Sequence, residues 1–191
     1  MDSVMLPVDS LVWHEVCESA RLQKLVADIR VDRVRVPVHV TSDACPVILD
    51  GAHRSRATYL LGEALVPAHV VPVPCDFLVP GWVHAFEVPP LIAGLGSEGF
   101  VVGFLTSGGV RRPVYALGTS LSALFDSYWT VANSYAGRPY ARLDFVPEDR
   151  ASFEWRLPSW RVVREMTTTL GPLPAGVTRF GPLIAARCPS C

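Results

Sequence analysis

The densest chemistry in the chain lies at Asp50-Gly51-Ala52-His53-Arg54-Ser55, directly after the apolar run Val47-Ile48-Leu49. Gly51 lets the backbone turn tightly and approach a ligand with no Cβ in the way. The residues that follow carry apolar side chains at helical spacing through Leu60 and Leu61 and stop at Gly62, which predicts a helix beginning just after the turn. A helix N-terminus presents unpaired N–H groups and a partial positive charge, both of which attract phosphate. His53, Arg54 and Ser55 add side-chain donors there, and the backbone at Gly51 and Ala52 completes an anion cradle. Asp50 adds one carboxylate that could handle a metal or a proton.

Three further groups could contact a small ligand. His14-Glu15 places a carboxylate in the loop ahead of a helix. Gly81-Trp82-Val83-His84 sets an aromatic beside a polar ring, a combination that can wall a small pocket. Leu173-Pro174-Ala175-Gly176-Val177-Thr178-Arg179 is a proline–glycine turn leading to a polar pair. The five cysteines, Cys17, Cys45, Cys75, Cys188 and Cys191, are odd in number and irregularly spaced, so they make no disulfide framework. Cys188 and Cys191 have metal-ligand spacing, but a zinc site would need two more ligands; a frayed tail is the simpler expectation.

Several elements must position these groups. Leu6, Val8, Leu11 and Val12 form an extended start. Leu22, Leu25, Val26 and Ile29 recur at i, i+3, i+4 and i+7, one buried helix face, with Ser19 as its cap. Val36 to Val40 and Val47 to Asp50 read as strands, as does Val66 to Val73, where Pro67 and Pro72 suggest an edge or the strand's ends. His39 and His69 lie in such runs and read as hydrogen-bonded structural residues. Beyond Pro72 the composition shifts to Pro, Val, Trp and Phe, the passage into a second, smaller lobe. There Phe100 to Leu105, Arg112 to Ala116 and Arg142 to Val146 read as strands. Leu121 to Tyr135 reads as a helix capped near Thr119, and Ser159 to Leu170 as another, ending at Gly171.

The order of these motifs resembles the ParB/sulfiredoxin-like superfamily, whose nucleotide motif is Asp-Gly-x-His-Arg after an apolar strand. Within it, the free-serine kinase branch is similar over His14 to about Arg179: His-Glu, a helix, a proline-containing strand, the Asp-Gly motif, a Trp-His-like element, and Leu-Pro-Ala-Gly-(Ile/Val)-Thr-Arg-His. Here Phe180 stands where that last His would be. The resemblance implies an α/β (α+β) fold with a small mixed sheet. It implies a nucleotide-binding domain over residues 1–73 and a smaller substrate-binding lobe with a C-terminal tail over 74–191. It implies phosphoryl transfer from ATP or ADP, with Mg2+, to the hydroxyl of a free amino acid, L-serine giving O-phosphoserine. Glu15 falls on the family's catalytic glutamate, and Asp50 is expected to act as a second catalytic carboxylate, either positioning Mg2+ as its ligand or assisting the proton transfer. Gly51, Ala52, His53, Arg54 and Ser55 bind the nucleotide, and Trp82, His84, Thr178 and Arg179 the acceptor, with Arg179 or His84 facing its carboxylate.

Two relatives of that superfamily fit less well. Sulfiredoxins need a reactive cysteine where this chain has Ala52, which cannot form a thiol intermediate. ParB proteins bind DNA through a helix-turn-helix, yet the 191-residue chain has a net charge of −1 and no basic recognition helix, so DNA is not an expected partner. A non-catalytic nucleotide-binding regulator on the same fold remains the alternative, although a sensor has no need of both Glu15 and Asp50. No apolar run reaches the roughly 18–20 residues of a membrane span, and the N-terminus lacks a signal's basic region; the expected location is cytoplasmic. The 17 prolines predict short elements and fixed turns.

Overall fold

The computed structural model describes residues 3–187 apart from 33, 35 and 94. The Cys188 and Cys191 metal reading therefore lies outside the described residues. The chain divides into two compact units. One is built from the chain up to Cys75 together with the segment from Phe180; the other runs from Asp76 to Arg179. The C-terminal segment thus belongs with the first unit.

The first unit is a mixed five-stranded sheet in the order β1-β5-β3-β4-β2, where β1 is Val4–Pro7, β2 Val12–Trp13, β3 Val38–Thr41, β4 Val47–Asp50 and β5 Leu65–Val71. A 3-10 turn at Val8–Ser10 joins β1 to β2. Helices α1 (Ser19–Asp32) and α2 (Ala52–Leu60) pack on one another, and α5 (Gly181–Arg187) is the last element. Val47, Ile48 and Leu49 on β4 are all buried, each burial contributing about 1.5–3 kcal/mol before entropy. Ile48 joins Val8, Leu11, Val38, Val40, Val66 and Ala68 in one core.

Proline tolerance explains β5. It is an interior strand, between β1 and β3, although Pro67 suggested an edge. Pairing with β3 begins only at Ala68, so at Pro67 the strand has a single neighbour, β1. Helix α1 starts one residue earlier than expected: Ser19, the expected cap, is already helical, and Leu22 N–H donates to Glu18 O at 2.9 Å.

The second unit is an antiparallel sheet in the order β8-β7-β10-β6-β9, where β6 is Leu78–Phe86, β7 Gly96–Ser107, β8 Val110–Tyr115, β9 Ala141–Leu143 and β10 Ala151–Ser159. Helices α3 (Leu121–Ser134) and α4 (Trp160–Thr169) accompany it. Trp155, Trp160, Tyr128, Phe86 and Phe153 are its largest fully buried side chains. Ser120, one residue beyond the expected cap, accepts Ala123 N–H at 3.1 Å to start α3. Helix α4 begins after Ser159 and stops before the left-handed Gly171, as the pattern predicts.

Candidate functional site

In the first unit the site is built on parallel strands. β2 and β4 pair in parallel, Val12 with Val47 and Trp13 with Ile48. Two residues past that last pair come Glu15, just beyond β2, and Asp50, the last residue of β4, so both carboxylates lie toward the same end of the β2–β4 pair. The negative charges of Glu15 and Asp50 both favour a protonated His14 ring. Burial nevertheless dominates and pushes the His14 pKa down. Glu15 is largely enclosed, its side chain 14% exposed and Oε1 4.0 Å from His14 Nε2, whereas the Asp50 side chain is 59% exposed. Phe180 meets the His14 ring edge-on at 5.3 Å.

The turn after β4 has the form that phosphate binding needs. Gly51 is left-handed, with φ +90°, and a Cβ there would stand 2.7 Å from Val38 Cγ1; the position requires glycine. Helix α2 begins at Ala52, and its first intrahelical bond runs from Ser55 N–H to Gly51 O at 2.9 Å. The N–H groups of Ala52, His53 and Arg54 precede that bond and face the turn. Ser55 differs from the other four: it is fully buried, its N–H is already used, and its hydroxyl has no hydrogen-bond partner. His53 Nε2 accepts Glu18 N–H at 3.0 Å, tying the start of α1 to the start of α2.

Arg54 holds Asp50. Its Nη2 donates to Asp50 Oδ2 at 3.1 Å, and its Nη1 to Val36 O at 3.0 Å. His39 on β3 is the cross-strand partner of Asp50, with Nδ1 3.8 Å from Oδ2. His39 chiefly, then Arg54, hold the Asp50 carboxyl below the usual carboxylate range, against the opposing pull of burial. Among the described residues neither His39 ring nitrogen has a partner within hydrogen-bond distance, and the polar group that faces Nδ1 is the Asp50 carboxylate at 3.8 Å. β3 is buried on both faces, so the His39 side chain is enclosed beside Asp50 rather than satisfied by backbone.

Among the described residues no three His, Cys, Asp or Glu side chains gather as a metal cage. A single exposed carboxylate beside a phosphate turn still suits magnesium, which keeps most of its ligands as water and phosphate oxygen. Asp50 is that carboxylate.

In the second unit Trp82, Thr178 and Arg179 come together. Gly81 and Thr178 form an isolated bridge, Trp82 N–H donates to Val177 O at 3.2 Å, and Arg179 N–H to Pro80 O at 2.8 Å. The Arg179 guanidinium lies over the Trp82 ring at 5.2 Å and pairs with Asp144 at 2.8 Å. Asp144 is a member of this group that the sequence did not single out; its only signal was a carboxylate in the predicted strand region after Arg142. His84 behaves differently. It is 1% exposed and stacks on Tyr140. Nε2–H donates to Gly176 O at 2.8 Å, while Nδ1 accepts from Tyr135 Oη at 2.9 Å and from Trp155 Nε1 at 3.3 Å. That network assigns the neutral Nε2–H tautomer, and burial lowers its pKa to about 4. His84 therefore organises the floor under the Leu173-to-Arg179 turn. Of the two residues expected to face an acceptor carboxylate, only Arg179 carries charge at neutral pH.

No family model matches the chain, and no curated protein matches it in sequence. Solved structures do match in fold. C-terminally truncated SbnI from Staphylococcus aureus is 20% identical over 93% of this chain and 82% of its own, with a TM-score of 0.73. A free serine kinase in complex with AMP is 14% identical over 94% and 87%, with a TM-score of 0.68. A conserved hypothetical protein from Pyrococcus furiosus is 14% identical over 94% and 90%, with a TM-score of 0.64. The chain has the α/β fold of these proteins. No described helix is long and apolar enough to cross a membrane.

Proposed function

We propose that the protein is a kinase that transfers a phosphoryl group from ATP or ADP to the hydroxyl of a free amino acid, with L-serine the first substrate to try. The observation that carries this reading is local: two carboxylates, Glu15 and Asp50, leave one end of the β2–β4 pair beside a left-handed glycine and a helix N-terminus. Phosphoryl transfer needs little covalent chemistry from a protein; it needs the phosphates held, the charge offset and the hydroxyl aligned. A pure nucleotide sensor needs the first of these alone. The fold-level likeness to a free serine kinase bound to AMP, and to a mutant form of a free serine kinase bound to ADP, supports the reading by analogy.

In this mechanism the N–H groups of Ala52, His53 and Arg54 and the Arg54 guanidinium hold the phosphates, with Gly51 letting them approach. Ser55 acts from beneath, as part of the buried wall of the turn. Glu15 orients the acceptor hydroxyl and accepts its proton late in transfer, an effect worth about 10²–10⁴-fold. Asp50 is the residue that would hold Mg2+, which when bound offsets charge on the phosphate oxygens. Trp82, Thr178 and Arg179 bind the amino acid, with Arg179 on its carboxylate and His84 supporting the turn that carries Thr178 and Arg179. Phe180, where the resembling kinases have His, leaves room for an acceptor other than serine. A screen of free amino acids with ATP and with ADP, followed by phosphorus NMR, tests the proposal. A new phosphomonoester resonance supports it; nucleotide binding with no transfer to any hydroxyl compound supports the regulator instead.

A further inference from the structure

A row of polar side chains crosses the first sheet at the level of the phosphate turn. His39 on β3 is in register with His69 on parallel β5 and with Asp50 on antiparallel β4. The His39 and His69 rings lie 5.4 Å apart. His39 is 7% exposed, and both of its ring nitrogens are buried with no hydrogen bond to any described residue. Leaving a buried polar group unsatisfied costs free energy that an apolar residue would avoid. Valines occupy the neighbouring positions 38 and 40, and another there would make the strand more stable.

The partner that could relieve this cost is Asp50. Its Oδ2 already takes the Arg54 guanidinium at 3.1 Å and faces His39 Nδ1 at 3.8 Å. A shift of about 0.8 Å brings Nδ1–H into hydrogen-bond range. Both cationic or donor neighbours address the same oxygen. With Oδ2 addressed from two sides the carboxylate's rotation is restricted, and Oδ1 is the oxygen that neither His39 nor Arg54 addresses. Arg54 alone holds less firmly, because it also serves Val36 O and, in the proposed reaction, phosphate.

We propose that His39 is a positioning residue for Asp50: its Nδ1–H and Arg54 clamp Oδ2, so that Oδ1 is presented at a fixed angle to the reacting phosphates. The kinetic part of the test rests on the kinase reading; the clamp itself is tested without turnover.

The first measurement is the His39 tautomer, read from long-range hydrogen–nitrogen correlations at pH 8. The clamp requires Nδ1–H in the wild type and reversion to the commoner Nε2–H in Asp50→Ala. The second is kinetic. His39→Leu should lower kcat by about 10–100-fold with the nucleotide KM changed less than about 3-fold, and His39→Asn, which restores a donor near Nδ1, should recover most of the loss. Adding His39→Leu to Asp50→Asn should cost no more than about 3-fold beyond Asp50→Asn alone. An Nε2–H tautomer in the wild type overturns the proposal, as does wild-type turnover in His39→Leu. A protein that phosphorylates nothing refutes the kinase and leaves the tautomer to decide the clamp.

Discussion

Gly51→Ala perturbs the turn at its tightest point. At φ +90° any Cβ meets backbone strain of about 1–2 kcal/mol. The added methyl would also stand 2.7 Å from Val38 Cγ1, 3.0 Å from Val38 Cβ and 2.9 Å from Arg54 Nη2. Val38 is fully buried in the middle of the core and cannot swing aside. Arg54 can move only by releasing Asp50 or Val36. Overpacking of this kind costs about 1–3 kcal/mol, so the total is about 2–5 kcal/mol. Gly62→Ala is the internal control. Gly62 is also left-handed, at φ +74°, but nothing lies within 4 Å of the Cβ it would gain, so strain alone applies, about 1–2 kcal/mol. Amide hydrogen exchange on β3 and β4 reads the stability of the first unit directly, without requiring the whole chain to unfold as one. Gly51→Ala should cost about 1–3 kcal/mol more than Gly62→Ala. Equal costs for the two substitutions would show that Val38 and Arg54 do not close on the turn as described.

Arg54→Ala should weaken ADP and ATP binding by about 1.5–3 kcal/mol in calorimetry, the usual worth of hydrogen bonds to charged groups; unchanged affinity would remove Arg54 from the phosphate cradle. His84 should remain neutral at pH 5.5 by imidazole nitrogen shifts. Because its folded pKa of about 4 lies below the ordinary value of 6.5, the unfolded chain binds the extra proton, and stability falls as pH drops from 6.5 to 4, by up to about 3 kcal/mol. A protonated His84 at pH 5.5 would contradict the buried network around it. Arg179→Ala should raise the amino acid KM by about 10-fold or more while leaving nucleotide affinity intact; a change confined to nucleotide affinity would move Arg179 to the other substrate.

Much of the first unit was legible because local chemistry and fold agree there. Pro46 and Gly51 bracket β4, the apolar run between them is buried, and Gly62 stops the helix region. The second unit was less so. Two of its inner strands, β6 and β10, were not expected, because Pro80, Gly81 and Pro158 interrupt them with residues that strands avoid. β10 did carry a signal: Phe153, Trp155 and Leu157 alternate with Ser152, Glu154 and Arg156, and the first set is buried. Helix α5 was too short for its periodicity to register. The site divided along similar lines. Sequence order placed Glu15 and Asp50 together only through a resemblance, while the parallel register supplies the physical reason. The roles of His39 and Asp144 escaped notice because nothing local marks them. Their significance comes from partners distant in sequence, Asp50 across the sheet and Arg179 across a turn.

The central claim is that the carboxylates at the end of β2 and β4 drive transfer to a free hydroxyl rather than merely bordering a nucleotide. The most direct test is a phosphorus NMR time course of L-serine with ATP and with ADP, run for the wild type and for Glu15→Gln, with ADP affinity measured on the same samples. The account predicts phosphomonoester formation by the wild type. It predicts at least about a 10²-fold slower rate for Glu15→Gln, roughly 2.7 kcal/mol of barrier, with ADP affinity nearly unchanged. A Glu15→Gln protein that forms the phosphomonoester at the wild-type rate would contradict it.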